Sequence, residues 1–165
     1  MSRNFIKKND LEHAGIDIPE RPISSEINYV TPFGLEQINK KLNVLYKERE
    51  KYQGCDDAIS KQKKMRIEKD IRYFAARLKS AILVKPNSIS NNIVLFGTCV
   101  ELEDENGKAE YYELVGEDEA NINQNKISYI SPIAKAIIGN QIGEEILLSK
   151  PSGLSTLLIR KITYK

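Results

Sequence analysis

The strongest pattern in the chain is helical and lies between residues 31 and 83. Leu35, Ile38, Leu42 and Leu45 recur at spacings of 3, 4 and 3; Ile67, Ile71, Phe74, Leu78 and Ala81 recur at 4, 3, 4 and 3. This spacing puts each set on one stripe of a helix, the seam of a coiled coil. Thr31-Pro32 opens the first helix. Thr31 can accept from free N–H groups as N-cap, and Pro32 suits the first helical position because it has no N–H to satisfy. Gln53-Gly54-Cys55-Asp56 breaks the pattern, and Asp56 or Asp57 can cap a second helix. Two seam-bearing helices joined by a short turn run antiparallel. The prediction is a helical hairpin with its tip near 53–58. Arg49, Ser60 and Lys64 stand where the seam expects apolar residues near that tip, so the tip is held less firmly than the base. So narrow a hairpin cannot fill a core alone; it is expected to project from a second module or dock against it.

Past residue 92 the period changes from helical to alternating. Residues 93–102 are β-branched and apolar, Asn106-Gly107 is a hairpin turn signal, and 110–115 returns as a strand. A short strand is predicted at 126–130, a small helix at 133–138 between Ser131-Pro132 and Gly139, and two last strands at 144–148 and 154–164. The outcome is an α+β chain: a helical hairpin, then a small antiparallel domain of about five strands and one short helix. Ahead of both, residues 1–29 are polar, without periodicity, and contain Pro19 and Pro22. They read as an arm, extended when free, that packs on the body through Phe5, Ile16 and Ile18. The segments are therefore 1–29, 30–85 and 92–165, with a turn-forming linker over 85–92.

Composition adds little until charge is divided along this plan. The 165-residue chain carries a formal charge of +2, but residues 30–85 hold 14 basic and 7 acidic groups and residues 86–165 hold 7 and 11. A basic hairpin and an acidic domain call for different electrostatic partners. No apolar run approaches the ~20 residues of a membrane span. The first 22 residues have no apolar core of a secretory signal. Cys55 and Cys99 are far apart and form neither a disulfide framework nor a zinc site. A reduced, cytoplasmic protein with no membrane partner is expected.

Catalytic chemistry is sparse. Glycine-rich nucleotide loops and a nucleophile elbow are missing, and a Ser-His-Asp triad would rest on His13 alone. Cys55 is next to Asp56 and Asp57, which oppose activation of its thiol. The Asp56-Asp57 pair has two readings: a shared Mg²⁺, or a helix cap placed well for the helix dipole. Capping is the simpler reading.

The order of the motifs is more specific than any one of them. Phe96-Gly97, the run Leu114-Val115-Gly116-Glu117-Asp118-Glu119-Ala120, the run from Ile127 through Ser131-Pro132-Ile133 to Gly139, then Gly143 and Pro151-Ser152-Gly153 together resemble the C-terminal domain of the GreA/GreB transcript-cleavage factors. Thr31, Gly34, Leu35, Leu42 and Leu45 resemble the start of the Gre hairpin, so the resemblance covers about 30–165. Arg21-Pro22-Ile23-Ser24 and Asn28-Tyr29-Val30-Thr31-Pro32 look like a Gre-like subgroup with N-terminal extensions. The resemblance implies an FKBP-like C-terminal domain that docks on the rim of the RNA polymerase secondary channel through Asp118, Glu119, Ser131, Pro132 and Ile133. It implies a coiled coil inserted toward the active site, with Lys61, Lys63, Lys64 and Arg66 as a basic surface for the channel and its nucleic acid. RNA and DNA would be met only within the polymerase complex. The protein would be a monomer and no enzyme itself, since any RNA cleavage would be the polymerase's. In the family, acidic tip residues share the polymerase Mg²⁺. Here the family's tip motif is missing and only Asp56 and Asp57 stand nearby. The hairpin is also shorter by roughly eight residues per arm, about 12 Å of reach, a length similar to that of the polymerase regulator Rnk. Regulation by channel occupancy is the expectation; the alternatives are a true cleavage cofactor using Asp56 and Asp57, an FKBP-like prolyl isomerase, and a generic coiled-coil adaptor.

Overall fold

The computed structural model describes residues 18–85 and 92–164. Phe5, Ile16 and His13, and most of the linker, lie outside the described residues. By compactness the described residues divide into two units, one made of 18–25 and 39–79, the other of 26–38, 80–85 and 92–164.

The helices form where the heptad spacing predicts them. Helix α1 spans Pro32–Glu50 and α2 spans Ala58–Ser80. Ile38, Leu42 and Leu45 are buried on α1, and Ile67 and Ile71 on α2. The seam residues nearest the turn, Arg49, Ser60 and Lys64, are only half-buried. Tertiary packing of that apolar stripe, rather than helix propensity, stabilises helices of this length.

Just ahead of α1, strand β1 (Tyr29–Val30) pairs in parallel with β2 (Ile82–Leu83), which follows α2. Ile82 N donates to Asn28 O at 2.8 Å and Val84 N to Val30 O at 2.9 Å. Residue 29, the expected end of the arm, therefore falls inside a strand. Two-residue strands have no periodicity, so the alternation pattern could not reveal them.

The main sheet is built from β3 (Thr98–Asp104), β4 (Ala109–Val115), β5 (Lys126–Ser128), β6 (Glu145–Lys150) and β7 (Gly153–Tyr164), in the order β5-β4-β3-β7-β6. The β3–β4 turn is at Asn106-Gly107, with Gly107 at φ +77° and the Asp104 carboxylate accepting from Asn106 N and Lys108 N. The predicted antiparallel sheet is corrected in one respect: β5 runs parallel to β4, with Glu113 opposite Lys126 and Val115 opposite Ser128. Residues 116–125 carry the chain back to the level of Glu113, so β5 sets out in the same direction as β4. Alternation marks a strand but not its direction. A second correction concerns β3, which begins at Thr98 and not near 93. Gly97 turns the chain at φ +84°, and Thr98 Oγ1 donates to Leu95 O at 2.7 Å, which ends any extended run before it.

One face of the sheet holds the core. Val100, Leu102, Leu114, Ile146, Leu148 and Ile159 point inward, and the short helix α3 (Pro132–Ile137) closes over them with Ala134 and Ile137. Their β-strand neighbours Leu147 and Tyr111 point outward and are exposed, as the two-residue period requires.

Candidate docking loops and hairpin turn

The acid pair lies in the turn between the helices. Gly54 adopts φ +75°, a conformation that costs glycine little. Asp57 Oδ1 accepts from Ser60 N at 2.9 Å, which makes Asp57 the cap of α2. Hydrogen bonds from Ser60 hold its carboxyl below the usual aspartate value. Asp56 is exposed in the same turn, and Cys55 Sγ lies 3.9 Å from Lys51 O. A carboxylate spent on a cap has less to offer a cation. Among the described residues, no three His, Cys, Asp or Glu side chains are grouped to hold a metal. Asp57 does what the capping reading expects of it.

Lys61, Lys63 and Arg66 are exposed on α2 and Lys64 is half-buried. At about 100° per residue the four lie on all sides of the helix and not along one stripe. Lys63 Nζ stands 6.0 Å from the centre of the Tyr52 ring. The surface they make is a diffuse positive field near the turn.

The second set of predicted residues lies on two loops of the other unit. Val115 is paired with Ser128, and Tyr129 N donates to Val115 O at 2.9 Å, so Gly116 and Tyr129 leave the sheet side by side. Residues 116–120 and 129–133 therefore start from one end of the sheet. Ser131 caps α3 by accepting from Ala134 N at 3.3 Å, with Pro132 next to it at the helix start and exposed. Ile133 leans on the sheet core with part of its surface open. Asp118 is half-exposed.

Glu119 has a different place from the one expected. Its side chain is 3% exposed. Oε2 accepts from the Thr31 hydroxyl at 2.5 Å, and Oε1 faces Lys126 Nζ at 3.4 Å. Thr31 Oγ1 in turn accepts from Gly34 N at 2.9 Å as the N-cap of α1. A carboxylate so committed is an internal strut, not a docking contact, and Asp118, Ser131, Pro132 and Ile133 are left as the displayed part of the predicted surface. Two glycines make the strut fit. A Cβ on Gly34 would come within 2.6 Å of Glu119 Oε2, and one on Gly116 within 2.7 Å of Tyr29 O. An aromatic group completes the region: Phe96 and Tyr129 meet at 5.4 Å, Tyr29 and Tyr129 at 5.6 Å, and the Tyr129 hydroxyl donates to Ile27 O. Sequence reading found Thr31 as a cap and Phe96 as part of a motif. It had no signal that these residues meet; the small residues at 34 and 116 were the available hint.

The prolyl isomerase alternative finds no support in the cavity beneath α3. That cavity, about 60 Å³, is lined by Leu102, Ile133 and Leu157 but also by Asp104, Lys108, Glu110 and Lys150. Its one aromatic ring, Tyr112, donates its hydroxyl to Glu110 at 2.6 Å, and burial followed by that bond pushes the phenol up to about 12. The lining is charged where an isomerase needs stacked aromatic rings.

Residues 89–164 match the family model described as transcription elongation factor, GreA/GreB, C-terminal. The chain is 31% identical over 153 residues to transcription elongation factor GreB of Haemophilus influenzae, covering 84% of this chain and 97% of that one. It is 34% identical over 153 residues to GreB of Pasteurella multocida, covering 84% and 97%. The chain belongs to the GreA/GreB family. Among solved structures, GreA factor homolog 1 of Thermus thermophilus is 26% identical over 84% of this chain and 99% of that one. Its TM-score is 0.40, a superposition too loose to support a structural conclusion. Within the family the match spans both the loops at 116–133 and the hairpin, so neither the isomerase nor the generic adaptor reading is favoured.

Proposed function

We propose that this protein is an RNA polymerase-binding transcription elongation factor. Its C-terminal domain (92–165) docks on the polymerase through Asp118, Ser131, Pro132 and Ile133, and the hairpin (30–85) enters the secondary channel to regulate transcription. The observation that carries the reading is the pair of adjacent loops at 116–120 and 129–133, built on a strut that spends Glu119 internally and leaves Asp118 and Pro132 displayed. The protein acts in the cytoplasm as a monomer, is not itself an enzyme, binds no cofactor of its own and meets RNA or DNA only through the polymerase. The net positive hairpin suits a channel holding RNA, because clustered Lys and Arg attract phosphate. The cleavage-cofactor reading would need Asp56 and Asp57 at the polymerase Mg²⁺, and Asp57 is engaged at the cap.

Binding of purified RNA polymerase to the wild type and to Asp118→Lys/Pro132→Ala tests the proposal. About tenfold weaker binding by the variant is expected, the scale of losing a central contact and reversing a charge. Equal binding removes the docking surface from these loops.

A further inference from the structure

Residues 18–25 run along α2 without regular secondary structure, and three successive residues of this strap each engage a different feature of the helix. Lys69 donates through Nζ to the Pro19 carbonyl. Glu20 grips Arg72 with both oxygens: Nη2 is 2.5 Å from Oε1 and Nε is 3.3 Å from Oε2. The Arg21 guanidinium lies over Tyr73, 3.7 Å from the ring centre, and 5.3 Å from the centre of Phe74. The two rings meet edge to face at 5.1 Å. Residues 69–74 thus bring together two cations and two aromatic rings, with one acid, Asp70, between them in the chain.

That combination has a chemical meaning. Single-stranded nucleic acid is held by cations along its phosphates and by rings on which its bases stack. Each strap group stands in for one of these parts. The Glu20 carboxylate occupies Arg72 as a phosphate would, in a two-pronged charge-assisted bond. The planar Arg21 guanidinium covers the Tyr73 face as a base would. A polyacidic segment without planar side chains would satisfy the cations alone, whereas a nucleic acid supplies both the anion and the planar group that Glu20 and Arg21 supply here. Of the ties that hold the strap, the bond to Pro19 comes from the buried Lys69, but the ion pair is exposed. The Arg72 and Glu20 side chains are 55% and 61% exposed, so water and salt screen their pairing. Of the two isoleucines of the strap, Ile23 is 50% exposed and Ile18 is half-buried.

We propose that residues 69–74 of α2 form a binding site for single-stranded nucleic acid, which the strap at Pro19, Glu20 and Arg21 occupies in this structure and leaves when the ligand binds. The site is distinct from the basic residues 61–66 near the turn. It does not rest on the polymerase reading, since the protein and an oligonucleotide suffice to test it and either idea can fail alone.

The test measures binding of a fluorescein-labelled oligouridine or oligothymidine of about 12 nucleotides to the full chain by anisotropy. Glu20→Gln/Arg21→Ala is expected to bind about tenfold tighter than wild type, because a site freed of its competitor gains in apparent affinity by the fraction it had been blocked. Adding Arg72→Ala and Tyr73→Ala is expected to abolish the gain, and polyglutamate is expected to compete poorly. Equal affinity of wild type and strap variant overturns the proposal, as does a gain that survives Arg72→Ala/Tyr73→Ala, or polyglutamate competing as well as RNA. Hydrogen exchange on the unaltered chain gives a second reading that needs no variant. Saturating oligouridine is expected to raise amide exchange across 18–25, and unchanged protection there, with RNA bound, overturns it too.

Discussion

Glu119 illustrates how one residue can change role between sequence and structure. In the sequence it is one of three acids in a row before Ala120, on a loop expected to dock. In the structure its carboxylate bridges the Thr31 hydroxyl and the Lys126 ammonium, with almost no exposed side chain. Buried polar groups that share partners couple energetically. Thr31→Val, Glu119→Gln and the double variant, compared by urea unfolding, are therefore expected to show a coupling of about 1–2 kcal/mol. Each single change is expected to cost about 1–3 kcal/mol, because each leaves a desolvated partner behind. Additive single effects would mean that the Thr31–Glu119 contact contributes no stability. Thr31 as N-cap was legible from the Thr-Pro pair. Its second bond was not, because residue 119 is remote in the chain and an acid on a loop normally faces water.

At the scale of elements, helix starts and stops proved the most readable features. Thr31-Pro32, Ser131-Pro132 and Asp57 all do locally what short-range capping chemistry says they should. The Asp57 cap makes a pH prediction. Its carboxyl is held below the ordinary aspartate value by the hydrogen bonds from Ser60. A depressed carboxylate contributes stability that is complete above the unfolded pKa and is lost as pH falls through the lower, folded one. Asp57→Ala is expected to lower the thermal midpoint at neutral pH and to lose less than wild type on acidification below about pH 4. Asp57→Asn, which can still accept from Ser60 N, is expected to keep most of the neutral-pH midpoint. Circular dichroism melts across pH decide it, and parallel acid profiles for wild type and Asp57→Ala would remove Asp57 from the stability of α2. Strand direction was the least readable feature. The β5 segment alternates equally well in either direction, and the two-residue β1 and β2 have no pattern at all.

For the whole molecule the decisive quantity is the distribution of charge. Residues 30–85 carry an excess of seven positive charges and residues 86–165 an excess of four negative ones, although the total is only +2. Exposed charges act at long range only within a Debye length, about 10 Å at 0.1 M salt. Association with RNA polymerase is therefore expected to weaken about tenfold or more between low and high salt, mainly in its on-rate. A salt-independent on-rate would mean that the charge division plays no part in encounter. Heptad spacing, capping residues, turn glycines and the ordered motifs from Phe96 to Gly153 were enough, read along the chain, to establish a helical hairpin followed by a small α+β domain of the GreA/GreB family. All of these are local regularities, set by the period of the backbone and by bonds spanning a few residues. Three things were decided only when distant segments met: the parallel strands at 29–30 and 82–83, the burial of Glu119 against Thr31, and the seating of Pro19, Glu20 and Arg21 on α2. Each depends on close approach between residues about fifty or more positions apart, and the energy of such a contact exists only once the fold has brought its two sides together.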